Sequence, residues 1–216
     1  MRARPAPRRG PRLALALAFC ALGGIAAAEP FSFSADRVES VLAKGKERTV
    51  LAGRARVRSG SLLITADRIE LSGKDWNLVE CSGAVVAVDE EKEIRIESPR
   101  LSYDRKRKYS RMEGPSSLED GKNKVVLKAD WIEDDGDRET TLAQVNVRIL
   151  KEGLACRSEY ALFRRGEKFL ELSGAPVAYK DGDEYRASRI VVNTGTEEIR
   201  LEGEVRGRIE SSGGKE

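Results

Sequence analysis

The chain has 216 residues, with 39 lysine or arginine residues, 36 aspartate or glutamate residues and no histidine. The lack of histidine excludes a Ser-His catalytic triad. Five of the basic residues lie within residues 1–28, and the other 34 against 36 acidic residues give a net charge near −2. Residues 29–216 therefore have no excess of basic residues that would indicate nucleic-acid binding.

Residues 1–28 have the composition of an export signal. Five arginines precede an apolar run over residues 13–25, and small alanines follow it. The run is too short for a comfortable membrane span. The sequence predicts a signal peptide over residues 1–28 with cleavage near Ala28-Glu29, one domain over residues 29–210, and a disordered tail over residues 211–216. Retention of residues 13–28 as a membrane anchor is the alternative.

Turn signals follow at intervals of about fifteen residues along the rest of the chain. Ser59-Gly60 and Asp120-Gly121 are examples, and eleven such breaks separate twelve segments. Glycine supplies positive φ, and aspartate or asparagine closes tight turns, so these breaks are typical of β-hairpins.

Within the segments, apolar and polar residues alternate. In the last segment Ile199, Leu201, Val205 and Ile209 alternate with charged residues. A period of two places one set inside and the other in water, as in a half-buried strand. The fold class predicted is all-β, an antiparallel meander of about twelve strands.

A longer repeat spans every second segment. The motif A-D-R-[IV]-E lies within residues 34–39 and 65–70, and a variant lies within residues 128–133. The segments between these cores are centred on Gly53, Gly83, Gly114, Gln144, Gly174 and Gly203. Hydrophobic residues recur at one position on each side of every core, and we call these two sets the hydrophobic columns. Their members, such as Ile64 and Ile69, are an odd number of residues apart, so strict alternation cannot place both inside. A bulge or bend in the middle of each strand resolves this and predicts a V-shaped trough.

These repeated cores, interleaved with glycine-centred segments behind an export signal, resemble the LptA/OstA family of periplasmic lipopolysaccharide-transport proteins, which is related to LptC and to the N-terminal domain of LptD. The resemblance covers residues 31–209. It implies a β-taco or β-jellyroll fold in the periplasm, with lipid acyl chains held between the walls. It also implies end-to-end association with like domains. The unpaired first and last strands, residues 31–43 and 197–209, favour edge-strand pairing with LptC-like and LptD-like proteins or with further copies of the chain. We expect neither enzymatic activity nor a cofactor.

Small residues recur at the bend and large aromatic residues are few, so we expect an apolar trough with room for a guest. Burial of acyl chains contributes ~0.8 kcal/mol for each CH₂ group. The candidate lipid-binding residues are Phe33, Val38, Leu51, Ile64, Ile69, Ile96, Leu101, Met112, Leu127, Ile132, Leu142, Leu172, Ile190 and Leu201.

Three other features carry expectations. Cys81 and Cys156 lie in inward columns of distant strands and are predicted to be buried free thiols. The acidic run at residues 134–137 is predicted to be a hairpin turn, since it lacks the ligand spacing of a calcium loop. Trp76 and Trp131 fall at turn or outward positions.

Three alternative functions stay open. The first is an LptC-like subunit held in the inner membrane by residues 13–28. The second is a structural β-solenoid of the cell envelope, with a filled core and no bound lipid. The third is a parallel β-helix polysaccharide lyase, against which the hairpin rhythm argues, since parallel coils need no tight reversals.

Overall fold

The computed structural model describes residues 31–196 and 198–210. The expected signal peptide and the expected tail at residues 211–216 lie outside the described residues. The strands are β1 (Phe31–Ser34), β2 (Arg37–Val41), β3 (Arg48–Ser59), β4 (Leu62–Ser72), β5 (Leu78–Asp89), β6 (Ile94–Asp104), β7 (Tyr109–Asp120), β8 (Val125–Asp135), β9 (Thr140–Lys151), β10 (Leu154–Arg164), β11 (Phe169–Ser173), β12 (Val177–Lys180), β13 (Asp183–Arg186), β14 (Arg189–Asn193), β15 (Ile199–Glu202) and β16 (Arg206–Arg208).

The sixteen strands form one antiparallel sheet in which β3 to β10 pair in chain order. Strands β3 to β10 are long hairpin-connected strands of 11 or 12 residues. The remaining eight are halves of four further strands. For example, β1 and β2 pair with successive parts of β3. The predicted all-β meander of twelve bent strands is therefore confirmed.

Each long strand is interrupted at its middle by a bulge. The pairing of β3 with β4 shifts between Ala52 and Ala55, and the pairings from β5 to β10 shift at corresponding positions. In β3 the bulged residues are Gly53 and Arg54, with φ of 76° and 46°. We call the line of bulges the crease.

In β4, β6, β8 and β10 the bulge changes the parity of the inward residues, as the hydrophobic columns required: Ala66 and Ile69 of β4 are both buried and three residues apart. In β3, β5, β7 and β9 the bulge has two residues and keeps the parity, as for Leu51 and Ala55 of β3.

The crease divides the sheet into two walls. The front wall contains β2, β11, β14, β15 and residues 48–52, 68–72, 78–82, 100–104, 109–113, 131–135, 140–144 and 160–164 of the long strands. The back wall contains β1, β12, β13, β16 and residues 55–59, 62–66, 85–89, 94–98, 116–120, 125–129, 147–151 and 154–158. The turns that join the strands form two rows, one along the far edge of each wall. We call the side between these two rows, opposite the crease, the mouth.

The repeated aspartate and the glycine of the next segment meet at the crease. A Cβ on Gly83 would lie 2.2 Å from Asp67 Oδ2, and one on Gly53 would lie 2.6 Å from Asp36 Oδ2. Both glycines also have positive φ, which disfavours a side chain. The two motifs repeat together because each aspartate occupies the space that the following glycine leaves free.

Among the described residues, no helix has the length and apolar character needed to cross a membrane.

Candidate functional site: the apolar interior and its mouth

The inward side chains of the two walls pack together. The front-wall row next to the crease consists of Leu51, Ile69, Cys81, Leu101, Met112, Ile132, Ala143, Ala161, Leu172 and Ile190, none of them more than 4 % exposed. Facing it, the back-wall row consists of Val57, Ile64, Ala87, Ile96, Leu118, Leu127, Ile149, Cys156 and Ala178. Both rows belong to one continuous hydrophobic core.

Most of the predicted lipid-binding residues lie in these two rows. The inward and buried members are Leu51, Ile64, Ile69, Ile96, Leu101, Met112, Leu127, Ile132, Leu172 and Ile190. Their inward position follows from the strand alternation. Their contact with lipid stays a prediction.

Leu142 was predicted to point inward, and this is wrong. It pairs with Glu133 of β8 and Leu162 of β10 on the outer surface, and its neighbour Ala143 takes the inward position, 1 % exposed. The bulge of β9 lies at Val145 and Asn146, with φ of 63° and 56°, and not at Gln144. The centre of this repeat is therefore one residue later than the sequence indicated.

Phe33, Val38 and Leu201 lie in the inward rows of the terminal strands but are not buried. Phe33 is 47 % exposed and Val38 is 43 % exposed, while Leu201 is half-buried. Each belongs to a strand with neighbours on one side only in the described chain, so its packing is incomplete. The inward rows thus continue to the sheet ends as open apolar surface.

The expected spare room is not present in the interior. The two enclosed spaces described have volumes of about 70 Å³ and 20 Å³. A cavity that admits benzene measures ~150 Å³. Acyl chains would therefore have to displace the packed rows by moving the walls apart. Small crease residues such as Ala66 and Ala129 instead line two open grooves of about 570 Å³ and 880 Å³, together with outward residues such as Lys128. A preformed trough between the walls stays a prediction.

The larger space lies at the mouth, close to the first strands. Its wall is formed by Phe31, Val57, Ser59, Leu62, Ile64, Leu71, Trp76, Val79, Asp89, Lys92, Tyr103 and Arg105, which come from both walls. The lining is mostly apolar and includes two cations, Arg105 and Lys92, the second of which pairs with Asp89 at 3.2 Å. Arg105 belongs to the front row of turns and Lys92 to the back row.

Trp76 closes this space. It lies in the turn between β4 and β5, which includes a short 3₁₀ turn (Lys74–Trp76), and its ring is 6.4 Å from the ring of Phe31 on the back wall. Asp75 and Trp76 both have positive φ, 57° and 54°. Two consecutive non-glycine residues in this conformation are strained. The turn position of Trp76 was foreseen, but its contact across the mouth was not.

Trp131 lies on the outer surface as expected. Its Nε1 donates a hydrogen bond to Glu133 Oε1 at 2.9 Å, and the guanidinium of Arg111 is 5.2 Å from its ring centre.

A buried polar cluster forms part of the front-wall side of the mouth. Asp134 points inward and accepts a hydrogen bond from Thr141 Oγ1 at 2.6 Å. Arg165, from the turn after β10, pairs with the same carboxylate and donates to the carbonyl of Asp135 at 3.1 Å. Burial raises the pKa of Asp134 from its ordinary value, and Arg165 opposes the rise. The acidic run does form the β8–β9 hairpin, but its first carboxylate belongs to the interior.

The two described cysteines are buried free thiols, as predicted. Cys81 lies on the front wall and Cys156 on the back wall. Burial raises the pKa of each thiol to about 12. Both side chains therefore act as small apolar residues at neutral pH.

The fold and site define a class: a β protein made from one creased antiparallel sheet whose two walls enclose an apolar interior. No protein-family model and no curated protein matches the chain. Among solved structures it is similar to LptH, the LptA homologous periplasmic component of the lipopolysaccharide transport device from Pseudomonas aeruginosa. Sequence identity is 12 %, the match covers 85 % of this chain and 96 % of that chain, and the TM-score is 0.28. At this TM-score the match carries no argument, and the class rests on the crease and strand register.

Proposed function

We propose that this protein is a periplasmic carrier that holds the acyl chains of lipopolysaccharide, or of a related glycolipid, between its walls. The observation that carries the proposal is the mouth at the N-terminal end. There an apolar space bounded by both walls opens toward Lys92 and Arg105. An acyl chain suits the interior, and cations suit the phosphate groups of a glycolipid headgroup. The resemblance of the repeated cores to the LptA/OstA family supports the same function.

Loading requires the walls to separate. The cavity of about 70 Å³ behind Trp76 is the larger of the two enclosed spaces described above. The turn around Trp76 is strained, and a change of conformation that relieves this strain would open this part of the mouth. An acyl chain entering there would replace contacts between the two apolar rows by contacts with lipid. Burial of each added CH₂ group is worth ~0.8 kcal/mol.

Photo-crosslinking tests the carrier function with matched pairs of positions. A photoreactive residue at Ile64 or Tyr103 lies on the cavity wall, whereas one at the adjacent Leu63 or Ser102 lies on the outer surface. We expect lipopolysaccharide or glycolipid adducts at Ile64 and Tyr103, and none at the adjacent positions. Equal labelling within each pair, or no adduct at any position, would contradict the proposal.

Fluorescence of Trp76 provides a second measurement. Trp131→Phe removes the outer tryptophan, so that Trp76 is the only one left of the two in the chain. Glycolipid with brominated acyl chains is expected to quench Trp76 in this variant. In Trp76→Phe, the remaining Trp131 on the outer surface is expected to keep its emission.

We further propose that the sheet ends pair with like domains, joining the carrier into a bridge between inner and outer membranes. In the described chain, β1 and β2 pair only with β3, and at the other end β15 and β16 pair only with β14 and β13. Six of the ten exposed large hydrophobic residues lie at these ends: Phe33, Val38, Val41, Leu42, Val205 and Ile209. Exposed apolar edge strands are suited to β-augmentation. The partners proposed are LptC-like and LptD-like proteins and further copies of this chain.

Edge pairing is tested with three valines of similar exposure. Val38 and Val205 are 43 % and 53 % exposed at opposite ends, and Val145 is 48 % exposed at the crease. We expect Val38→Asp and Val205→Asp to reduce self-association in sedimentation velocity, and Val145→Asp to leave it unchanged. If all three variants associate like the parent chain, the ends are not the interface.

Whether the carrier is free or anchored depends on residues 13–28, which lie outside the described residues. N-terminal sequencing of the exported protein decides between the two forms. A start at Glu29 supports the free carrier, and retention of residues 13–28 supports an LptC-like anchored subunit.

One observation favours a second function, that of a structural protein of the cell envelope. The interior rows pack against each other and leave only small enclosed spaces. A scaffold with a filled core would show no glycolipid adduct at Ile64 or Tyr103 and no quenching of Trp76. It would still associate through its ends, so the lipid and association experiments separate the two functions.

A further inference from the structure

The outer surface of the back wall carries a row of three adjacent cations. Lys128 of β8 lies directly opposite Arg148 of β9, and Arg148 lies opposite Arg157 of β10. All three side chains are exposed. We call these three residues the basic row. Like charges placed directly opposite each other on a sheet destabilise it, so the arrangement has a cost in the isolated protein.

The outer surface of the front wall is arranged differently. There several charged side chains on neighbouring strands form ion pairs. Arg48 binds Glu70 at 2.5 Å, and Glu171 binds Arg189 at 2.9 Å. Within the described chain, no member of the basic row forms an ion pair. Arg157 instead contacts the hydroxyl of Tyr179 at 3.4 Å. Elsewhere on the back wall Arg95 pairs with Glu97 at 2.6 Å, so the missing counter-charges are local to the basic row.

A row of apolar side chains runs beside the basic row. Val126, Leu150, Ala155 and Tyr179 are successive cross-strand neighbours on β8, β9, β10 and β12. They are two residues away from the basic row along each strand, a distance of about 7 Å. Leu150 is 48 % exposed, one of the most exposed leucines in the described chain. The two rows together form what we call the basic-apolar face.

Acidic groups border this face without neutralising the basic row. Glu119 and Glu184 lie at the two ends of the apolar row. At the crease, Asp130 accepts a hydrogen bond from Asn146 Nδ2 at 2.6 Å and Glu159 accepts one from the Asn146 amide at 3.3 Å.

We propose that the basic-apolar face binds the surface of a lipid bilayer that contains anionic phospholipids. Cations in a row attract the negative surface of the bilayer, and the adjacent apolar side chains enter the boundary between headgroups and acyl chains. A soluble polyanion would use the basic row and leave the apolar row without a role, which is why the combination favours a membrane. This contact is separate from the interior that holds acyl chains in the proposed function.

Vesicle flotation tests the face. The full chain is mixed with phosphatidylcholine vesicles with or without phosphatidylglycerol. The test variant carries Lys128→Gln, Arg148→Gln and Arg157→Gln. The control carries Lys44→Gln, Lys74→Gln and Lys106→Gln, which removes the same charge from exposed turns. Residues 13–25 are identical in all variants, so any binding through them cancels in the comparison.

Each basic residue near an anionic surface contributes about a fivefold change in binding. We therefore expect the test variant to bind anionic vesicles at least tenfold more weakly than the parent chain, and the control to stay within about threefold. Leu150→Ser is expected to weaken binding severalfold at high salt, where the charges are screened. Circular dichroism confirms that each variant is folded.

Two results would overturn the proposal. The first is that the test and control variants lose binding to anionic vesicles equally, which would show a general charge effect. The second is binding of a DNA oligonucleotide, but not of anionic vesicles, that depends on the basic row and is insensitive to Leu150→Ser. That result would assign the row to a soluble polyanion.

Discussion

The buried pair at the mouth provides the sharpest test of the interior. Arg165 and Asp134 have side chains that are 11 % and 7 % exposed. Removing one partner of a buried pair leaves an uncompensated charge and costs about 3–5 kcal/mol. Because Arg165 lies near the edge of the wall, we expect Arg165→Ala to lower the free energy of unfolding by about 3 kcal/mol at pH 7.5.

The loss should depend on pH in a definite direction. Burial raises the pKa of Asp134, so its contribution to stability is complete below its ordinary pKa of 3.8 and falls as the pH rises through the raised value. Arg165 limits this fall by stabilising the carboxylate. Without Arg165 the pKa of Asp134 rises further, and the difference between variant and parent grows from pH 5 to pH 7.5.

Urea unfolding at the two pH values measures both effects. Arg100→Ala is the control, because Arg100 pairs with Glu113 on the outer surface and its side chain is 64 % exposed. Exposed pairs are worth ~0–1 kcal/mol. If Arg165→Ala costs no more than Arg100→Ala, or if its cost is the same at both pH values, then Asp134 is not a buried carboxylate that Arg165 stabilises.

Three further predictions concern the core and its register. Met112 is fully buried in the front-wall row, so Met112→Ala is expected to cost about 2–5 kcal/mol in urea unfolding, and a loss below this would show a loose interior. Cys81 and Cys156, with pKa values raised to about 12, are expected to resist a thiol reagent at pH 8 in the folded protein and to react in urea, as followed by mass spectrometry of peptides. In single variants, Leu142→Cys is expected to react rapidly and Ala143→Cys slowly, and the reverse order would refute the strand register.

The sequence alone determined the class of the fold. Turn residues at regular intervals marked the hairpins, and alternation with period two marked the strands. The odd spacing between hydrophobic columns required a bulge in every second strand, because side chains alternate strictly along an unbroken strand, and the glycine-centred strands between them permitted the same bend. For this reason the crease, the two walls and most inward residues were predictable from a single sequence.

Where the repeat degenerates, only the tertiary structure decided the register. At β9 no glycine marks the bulge, and its position depends on pairing with both neighbouring strands. The bulge lies at Val145 and Asn146, where Asn146 binds Asp130 of β8 and Glu159 of β10. A one-residue shift exchanges the faces of a strand, which is why Leu142 lies outside and Ala143 inside.

The filling of the interior was also a property of the assembled structure. Small side chains at the crease indicated spare volume, but the distance between two walls is decided by how their rows interlock. The Asp134 side chain points inward because it pairs with Arg165, and Trp76 lies across the mouth because it packs against Phe31. Both partners are distant in sequence. Periodicity assigns a residue to a face of its strand, whereas the gap between two faces exists only once the sheet has folded at its crease.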